Sequence, residues 1–595
     1  KSDNYKITQY SVSSILNYVE NSQIAIPEIQ RPFVWKGEEV RALIDSLYEG
    51  YPIGYLIVWQ NSQVRVRGFG KGGTKKILID GQQRVTALMA ALLGKEVLDE
   101  QYQSCRIRIA FNPLAQTGDE RFAVCDEKHE QDSKWIPDIS IFFRRDFSFR
   151  QFEKEYKEAN PGEDFTPLEE SVDTLKEIVK HQVGVIELSF LLDIDVVSEI
   201  FIRINLQGKP LNQEDFVMSK ISVNEEYGGD YIRNCIDYFC HLLREPSFYQ
   251  VLQQNETDFF NSEYGQAVAW CQNGEKNLYI PSYADVLKVV LISYFGKVRI
   301  GDLVHLLSGR TGEKKGLTKK EISKKLSEES FEKLGAGVKA FVCEKNFKGF
   351  QKALKKAGYC CSRLLYSQSV LNYCYAMYLL MDRQGIGEEE SESLLARWMT
   401  MVMLTGHYQS GGEGTVLKDY ANATEEGFAS YLAQIEELKL TEEFYDSILP
   451  DKFASTTART APFLVYVATQ CARGVHSLYS DVTIEELYKN KTESYQILPK
   501  TYLAKCGYKT REIYGQVANL TYISKETKDI VKRKAPADYR EKLEEVIGRE
   551  AITASLQENG LTEKIFTAGE KDVTKILADR RKQMALEIKE FYKTL

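Results

Sequence analysis

The sequence predicts an α+β protein whose strands are concentrated in the first third of the chain. Short apolar strands alternate with amphipathic helices up to residue 215, whereas residues 216–430 carry mostly helical periodicity. Residues 431–595 combine a few short strands with a charged helical tail. Because 595 residues exceed the usual length of one domain, we predict three domains: an α/β domain over 1–215, a mostly helical domain over 216–430 and a C-terminal domain over 431–595.

Composition and charge exclude several classes of protein. Hydrophobic residues make up 43% of the chain and charged residues 27%, with 14 prolines, which excludes a disordered scaffold, a collagen-like fibre and a disulfide miniprotein. No apolar run reaches the ~18 residues of a membrane span, no secretory signal is visible, and no C-x-x-C pair occurs among the cysteines. We therefore predict a cytoplasmic protein with reduced thiols and no membrane partner. A net charge of -8 argues against a broad DNA coat but allows a local basic channel.

A strand, a polar turn and a helix follow one another around residue 80. Ile77–Ile79 reads as a short buried strand, Asp80–Arg84 as a tight turn, and Val85–Leu93 as a helix with a periodic apolar face. This order places backbone N–H groups and the positive end of the helix dipole at the turn, where anions bind readily. The pattern therefore predicts an anion site.

The side chains of this turn suit an anion as well. Gly81 permits close approach of a backbone, Arg84 offers a fork for a phosphate, and Gln82 and Gln83 are neutral donors. Asp80 could cap the helix, or it could hold a metal-bound water or a ribose hydroxyl.

A glycine-rich loop before this strand is a weaker signal. Gly68, Gly70 and Gly73 form a literal G-x-G-x-x-G, but a strand follows them instead of a helix, which argues against a dinucleotide site. Lys76 and neighbouring lysines in this loop could still meet a phosphate. The chain contains no Walker A motif, which excludes a P-loop mechanism.

Four segments occur in a fixed order in the first domain: Ile26–Trp35 (IPEIQRPFVW), Tyr51–Gly54 (YPIG), Asp80–Arg84 (DGQQR) and Phe201–Leu211 (FIRINLQGKPL). Together they resemble the N-terminal domain of GmrSD-type, modification-dependent restriction proteins. The resemblance implies a ParB-like α/β fold for this domain. It also implies a domain that binds and hydrolyses a nucleotide and thereby licenses DNA cleavage or another defence response.

The resemblance also assigns residues. Nucleotide binding falls to Gln30, Arg31, Gly81, Arg203 and Asn205. Catalysis falls to Asp80, Gln82, Gln83 and Arg84. The arginines would offset the charge of a triphosphate and Asp80 would orient water or Mg²⁺, so the implied cofactor is Mg²⁺ with GTP, ATP or another nucleoside triphosphate. Taken alone, Arg203 could equally pair with a neighbouring carboxylate.

The C-terminal domain resembles the HNH-like ββα lobe in which such nucleases commonly end. Tyr495 and Gln496 stand where the family has histidines, Lys528 stands where it has a helix asparagine, and Asn519 is retained. No histidine follows His476. Tyrosine, with an unperturbed pKa of ~10, is a poor base at neutral pH. The sequence therefore predicts a degenerate HNH-like lobe without nuclease activity.

Basic residues of the same lobe could still bind DNA. The candidates are Lys525, Lys528, Lys532, Arg533 and Lys534. A second basic tract, Arg310–Lys325, reads as a solvated helix face or as a nucleic-acid contact.

Three functions remain open on the sequence alone. The first is a nucleotide-hydrolysing component of a bacterial anti-phage or restriction system that acts on DNA, including modified phage DNA. The second is a sensing module that binds nucleotide or DNA without turnover and regulates a separate effector or nuclease subunit. The third is an active modification-dependent DNA endonuclease. A homo-oligomer is compatible with each of them.

Overall fold

The computed structural model describes residues 4–26, 35–61, 75–99, 104–192, 196–197, 200, 213–222, 224, 226–309 and 319–595. The chain forms two compact units, one of residues 1–234 and 307–326, the other of residues 235–306 and 327–595. The sequence boundary at residue 430 falls inside the second unit. Several predicted features lie outside the described residues, namely Gln30, Arg31, Arg203, Asn205, the glycine-rich loop and residues 310–318 of the basic tract.

The first unit contains a mixed sheet and two small strand pairs. Its strands are β1 (Tyr5–Ser11), β2 (Ile24–Ala25), β3 (Leu56–Asn61), β4 (Lys75–Asp80), β5 (Val97–Leu98), β6 (Ser104–Cys105), β7 (Ile109–Phe111), β8 (Phe122–Val124) and β9 (Gln182–Leu188). The main sheet has the order β1-β9-β3-β4-β2. Strand β2 runs parallel to β4, and β3 runs parallel to β9, whereas β1·β9 and β3·β4 are antiparallel. The predicted α+β class is therefore confirmed.

Helices of the first unit connect and cover this sheet. They are α1 (Val12–Glu20), α2 (Gly37–Tyr48), α3 (Gln82–Leu93), α4 (Glu127–Gln131), α5 (Phe149–Ala159), α6 (Leu168–Glu177) and α7 (Gln213–Ser222). In α2 the Lys36 backbone N–H donates to the Glu39 carboxylate at 2.9 Å, which satisfies a backbone group at the helix start. Its apolar stripe is buried, as the periodicity of the sequence predicts.

The main sheet is buried on both faces. Leu56, Val58 and Leu78 pack into the large core that includes the buried face of α3. Ile57 and Trp59 point to the opposite face and pack against a second, smaller cluster. Since successive side chains of a strand alternate between faces, burial on both explains why these strands read as unbroken apolar runs.

The second unit is mostly helical. Its helices include α8 (Gly229–Leu242), α9 (Phe248–Asn255), α10 (Thr257–Phe260), α11 (Glu263–Val268), α12 (Tyr283–Phe295), α13 (Ile300–Leu307), α14 (Lys319–Val342), α15 (Glu344–Lys356), α16 (Gln368–Arg383), α17 (Glu388–Thr405), α18 (Gly412–Glu426), α19 (Phe428–Lys439), α20 (Leu449–Lys452), α21 (Ala461–Ala472) and α22 (Ile484–Lys489). Of these, α8 and α14 begin in the first unit and α13 ends in it. The helices predicted over 284–295 and 369–381 are confirmed as α12 and α16. No helix in the described part of the chain is long and apolar enough to cross a membrane.

The C-terminal part of the second unit has a hydrophobic cluster of its own, formed by residues between 478 and 577. Its elements are β10 (Tyr495–Gln496), α23 (Lys500–Lys505), α24 (Arg511–Tyr514), β11 (Leu520–Thr521), α25 (Lys525–Val531), α26 (Pro536–Ile547) and α27 (Arg549–Glu558), together with the first residues of the last helix, α28 (Val573–Tyr592). Strands β10 and β11 pair antiparallel, with Tyr495 opposite Thr521. We refer to residues 478–577 as the C-terminal lobe.

The last helix, α28, docks on this lobe through a buried arginine. Arg580 is 1% exposed, and its guanidinium donates to the backbone oxygens of Ala518 and Leu520 beside β11. Two turns further along the same helix, Glu587 is also buried, and burial raises its pKa to about 7. A charged, helix-forming tail is thus tied to the body by polar as well as apolar contacts.

Replacing Glu587 with glutamine is expected to flatten the pH dependence of stability. The folded-state pKa of about 7 lies above the ordinary value of 4.5, so folding favours the protonated carboxyl. The stabilisation that results is complete below about pH 4.5 and is lost as the pH rises through 7, a loss of about 3 kcal/mol. Thermal unfolding of both proteins from pH 5 to pH 8 tests this, with the exposed Glu541→Gln as control. Parallel curves for wild type and Glu587→Gln would contradict it.

Candidate functional site

The Asp80–Arg84 segment is a strand end, one glycine and the first turn of a helix. Strand β4 ends at Asp80, Gly81 adopts a left-handed conformation with φ 93°, and α3 begins at Gln82. The sequence placed the helix start at Val85, which is wrong by three residues. A glycine with positive φ can redirect the chain within a single residue, so the helix begins directly after it.

Gly81 is required by its neighbours as well as by its backbone angles. A Cβ atom at this position would lie 2.2 Å from Cδ2 of Leu56 and 3.3 Å from Nη2 of Arg84. The close approach predicted at this glycine is therefore an approach to Leu56 of β3.

Gly81→Ala is expected to destabilise the protein by more than its backbone strain alone. Gly118 provides a matched control, since its φ is 94° and a Cβ there would meet nothing within 4 Å. Gly118→Ala should cost only the left-handed strain of about 1 kcal/mol, and Gly81→Ala should add about 1–3 kcal/mol for displacing Leu56. Denaturant unfolding of the two variants measures the difference. Equal losses would contradict the packing of Leu56 against Gly81.

Arg84 joins two segments that are far apart in the sequence. Its Nη1 donates to the backbone oxygen of Ile53 at 2.8 Å, and its Nη2 donates to that of Tyr55 at 2.9 Å. The guanidinium also lies 3.4 Å from Oδ2 of Asp80. Burial lowers the pKa of Arg84, and the charge of Asp80 opposes that shift. The side chain predicted to fork a phosphate thus holds the 51–55 loop against the start of α3.

The loop is shaped to receive this guanidinium. Gly54 has φ 89°, and a Cβ on it would come within 2.5 Å of Nη1 of Arg84. Tyr51–Gly54 and Asp80–Arg84, two of the four family-like segments, therefore form one structural element.

Asp80 remains available at this element. Its side chain is 26% exposed and accepts from Arg84 on one oxygen only. The N-cap of α3 is Gly81, and no side-chain hydrogen bond caps the helix, so the capping role open to Asp80 is not taken. Gln82 donates to the backbone oxygen of Leu78 at 3.0 Å. The site thus combines a carboxylate with an uncapped helix start.

The sheet topology brings one further segment towards this edge. Ala25 of β2 pairs in parallel with Ile77 of β4, so both strands end on the side of the sheet where Asp80 lies. The carboxyl ends of neighbouring parallel strands are the usual place for ligands in open α/β sheets. Residues 27–34, which contain Gln30 and Arg31, follow β2 in the chain.

A buried ionic cluster on the same sheet was missed by sequence reasoning. Glu187 of β9 is 6% exposed and accepts from Lys6 and Lys76, each at 2.7 Å, and from the hydroxyl of Tyr10. Although burial opposes ionisation, these hydrogen bonds hold the pKa of Glu187 at about 2. Lys76, which could have met a phosphate, is paired here. The only sequence signal was a glutamate on the inward side of the apolar strand Val183–Leu188.

No group of three or more histidine, cysteine, aspartate or glutamate side chains is arranged to hold a metal among the residues described. Among the residues described, Asp80 is thus a carboxylate outside any such group.

In the C-terminal lobe, Asn519 is fully buried and ties two segments together. Its Oδ1 accepts from the backbone N–H of Leu498 at 2.9 Å, and its Nδ2 donates to the backbone oxygens of Leu498 at 2.9 Å and Tyr514 at 3.0 Å. Every hydrogen bond is to backbone, which is the pattern of a structural residue.

The side chains at the two positions where histidines would be expected also have structural roles, one through backbone hydrogen bonds and the other through burial. Gln496 donates to the backbone oxygen of Tyr514 at 3.2 Å and accepts from the backbone N–H of Lys500 at 3.2 Å. The hydroxyl of Tyr495 is buried and meets no hydrogen-bond partner in the described part of the protein. Burial raises the pKa of Tyr495, which moves it further from a general base.

The predicted DNA-binding residues lie on and after α25. All five are exposed, and none forms an ion pair with another described residue: Lys525, Lys528, Lys532, Arg533 and Lys534. Exposed acidic residues, Glu526 and Asp529, lie among them. The segment thus carries a modest excess of positive charge on the surface of the lobe.

The first unit is similar to a known protein family. Residues 12–222 match the family model described as the GmrSD restriction endonuclease, N-terminal domain. The matched range contains the 51–55 loop, the Asp80–Arg84 segment and α7. No curated protein matches the chain.

Proposed function

Since residues 12–222 form a GmrSD-type N-terminal domain, we propose that this restriction-system component binds and hydrolyses a nucleoside triphosphate at the Asp80–Arg84 segment. The observation that carries the proposal is the arrangement around Arg84. This side chain fastens the 51–55 loop to the start of α3 and leaves an exposed edge of Asp80 beside an uncapped helix terminus. A carboxylate next to the positive end of a helix suits a magnesium-bound phosphate.

The proposal gives the described residues separate roles. The backbone N–H groups of the first turn of α3 bind phosphate oxygens, Gln82 and Gln83 add neutral donors, and Asp80 orients the attacking water or a metal-bound water. Arg84 acts as a positioning residue for Asp80 and the loop. The charge of the triphosphate is offset by Arg31 and Arg203, and Gln30 and Asn205 are further nucleotide-binding residues.

Mg²⁺, when bound with the triphosphate, would neutralise charge that develops on the phosphate oxygens. Asp80 would hold it, directly or through water. The protein's own contribution is to fix the position of that carboxylate, which lies 3.4 Å from the guanidinium of Arg84.

We also propose that the N-terminal domain has a ParB-like fold and that the C-terminal lobe is a degenerate HNH-like domain without nuclease activity. The antiparallel pair β10·β11, followed directly by α25, supports a ββα-like lobe in which α23 and α24 lie between the two strands. Its inactivity is supported by the side chains of Tyr495, Gln496 and Asn519, which are buried or bonded to backbone. DNA would remain a partner of the lobe through the five unpaired cations from Lys525 to Lys534.

A phosphate-release assay tests the proposed hydrolysis. Purified protein is incubated with each of the four common nucleoside triphosphates, with Mg²⁺ or with excess EDTA, and release is expected with at least one nucleotide and only with Mg²⁺. Nucleotide binding without release by the wild type would favour the sensing module. Cleavage of plain or modified plasmid DNA that is lost in Gln496→Ala would favour the active nuclease.

Arg84 variants sharpen this assay. Arg84→Ala should lower phosphate release at least about 100-fold, because the loop and Asp80 lose their common anchor. Arg84→Lys should restore little, since one ammonium group cannot reproduce the two-pronged contact with the Ile53 and Tyr55 oxygens. Full activity of Arg84→Lys would contradict the positioning role.

A further inference from the structure

A cleft of about 590 Å³ lies at the end of α3 remote from Asp80. Its lining includes Glu20, Gly94, Arg106, Phe143, Arg144 and Arg145. We call it the arginine cleft. At a rise of 1.5 Å per residue, the 12-residue helix α3 separates it from the Asp80–Arg84 segment by about 18 Å, so it is not part of that site.

The charges around the arginine cleft do not balance. Glu20 at its rim pairs with Lys95 at 3.4 Å, and Arg106 pairs with Asp138. Arg144 and Arg145 are exposed and form no ion pair with any described residue. Two positive charges are therefore left over in a protein whose net charge is -8.

The backbone that carries these two arginines is held in place. Asp138 caps the short 3₁₀ helix Ile139–Phe143 by accepting from the Ser140 N–H at 2.9 Å, and the same carboxylate accepts from Arg106. Arg144 and Arg145 follow this helix directly. A backbone segment that is already ordered pays less conformational entropy on binding than a flexible one.

The local geometry favours an extended polyanion over a single free anion. The helix end at the cleft is the C-terminus of α3, where Gly94 has φ 66°, so carbonyl groups and not N–H groups point towards it. A single phosphate could contact the exposed guanidinium groups of Arg144 and Arg145, but no backbone N–H groups of α3 would surround it. A chain of phosphates can contact both guanidinium groups at once, and its condensed counterions are then released.

We propose that the arginine cleft binds the phosphate backbone of DNA through Arg144 and Arg145. The inference rests on the proposed function in one respect only, that DNA is what this protein acts on. Contacts of this kind position the duplex without reading its sequence, and Arg106 with Asp138 fixes the wall against which the backbone lies. The half-buried ring of Phe143 provides an apolar floor.

The test is the salt dependence of duplex DNA binding by the full chain. The double variant Arg144→Gln, Arg145→Gln should bind any duplex about tenfold more weakly or worse. Its plot of log affinity against log salt should be shallower by about two. The control Lys128→Gln, Lys154→Gln removes the same charge from exposed positions elsewhere in the unit and should behave like wild type.

The outcomes separate this inference from the proposed function. Nucleotide hydrolysis without DNA should be unchanged in the double variant. An unchanged salt slope in the double variant, or a wild type that binds no DNA, would overturn the proposal that the arginine cleft binds DNA, even if hydrolysis is normal. If the double variant shows the expected change in slope but the wild type hydrolyses no nucleotide, DNA binding by the arginine cleft is supported and the proposed hydrolysis is overturned. Displacement of DNA by inorganic phosphate beyond the effect of equal ionic strength would mark a free-phosphate site instead, which also overturns it.

Discussion

Asp80→Asn is expected to lower phosphate release by about 100- to 1,000-fold with little change in nucleotide affinity. Asparagine has nearly the same shape and still accepts a hydrogen bond from Arg84, but it lacks the charge that would orient Mg²⁺ or water. Because the side chain is 26% exposed, the substitution should not disturb packing. Single-turnover release, together with a direct measurement of nucleotide binding, separates the chemical step from binding.

The matched control is Asp173→Asn, an exposed aspartate on α6 in the same unit. It should hydrolyse nucleotide at the wild-type rate. If Asp80→Asn retained full turnover as well, the chemistry would not depend on this carboxylate, and the proposed site would have to be abandoned.

Asn519→Ala is expected to destabilise the C-terminal lobe by about 3–4 kcal/mol. The substitution removes three hydrogen bonds and leaves the buried backbone N–H and backbone oxygen of Leu498 without partners, each of which costs about 1 kcal/mol or more. The backbone oxygen of Tyr514 keeps its hydrogen bond from Gln496. Because β10 and β11 are only two residues long, few other contacts hold the 498 and 514 segments together. Denaturant unfolding and hydrogen exchange of the Leu498 amide measure the effect.

This variant also separates a structural from a catalytic Asn519. Asn490→Ala, at an exposed asparagine that ends α22, should leave stability unchanged. An Asn519→Ala protein that unfolds like the wild type but loses DNA cleavage would instead support the active nuclease. Loss of stability in a protein that never cleaved DNA is the result expected of a degenerate lobe.

Elements with strong local periodicity were predictable from the sequence. Helix α2 follows an apolar repeat of three and four residues, and its buried face is the one that the repeat indicates. Helices α12 and α16 follow apolar runs, and they are buried on most sides instead of on one face. The strand β4 and the polar segment after it were also predictable, because an apolar run that stops at Asp-Gly marks a strand end. The start of α3 was not, since the left-handed Gly81 shortens the turn to one residue.

The sequence by itself determined that Asp80–Arg84 lies between a buried strand and a helix, and that family-like segments precede and follow it. Only the tertiary structure decided what Arg84 does, because its partners are the carbonyl groups of Ile53 and Tyr55, about thirty positions earlier. A backbone carbonyl leaves no trace in the residue pattern. The same holds for Glu187, whose cluster with Tyr10 and Lys76 exists because β9, β1 and β4, which are distant in sequence, lie in one sheet. Local pattern specifies which element a side chain stands on, whereas the partner that sets its charge and its role is chosen by the packing of the chain.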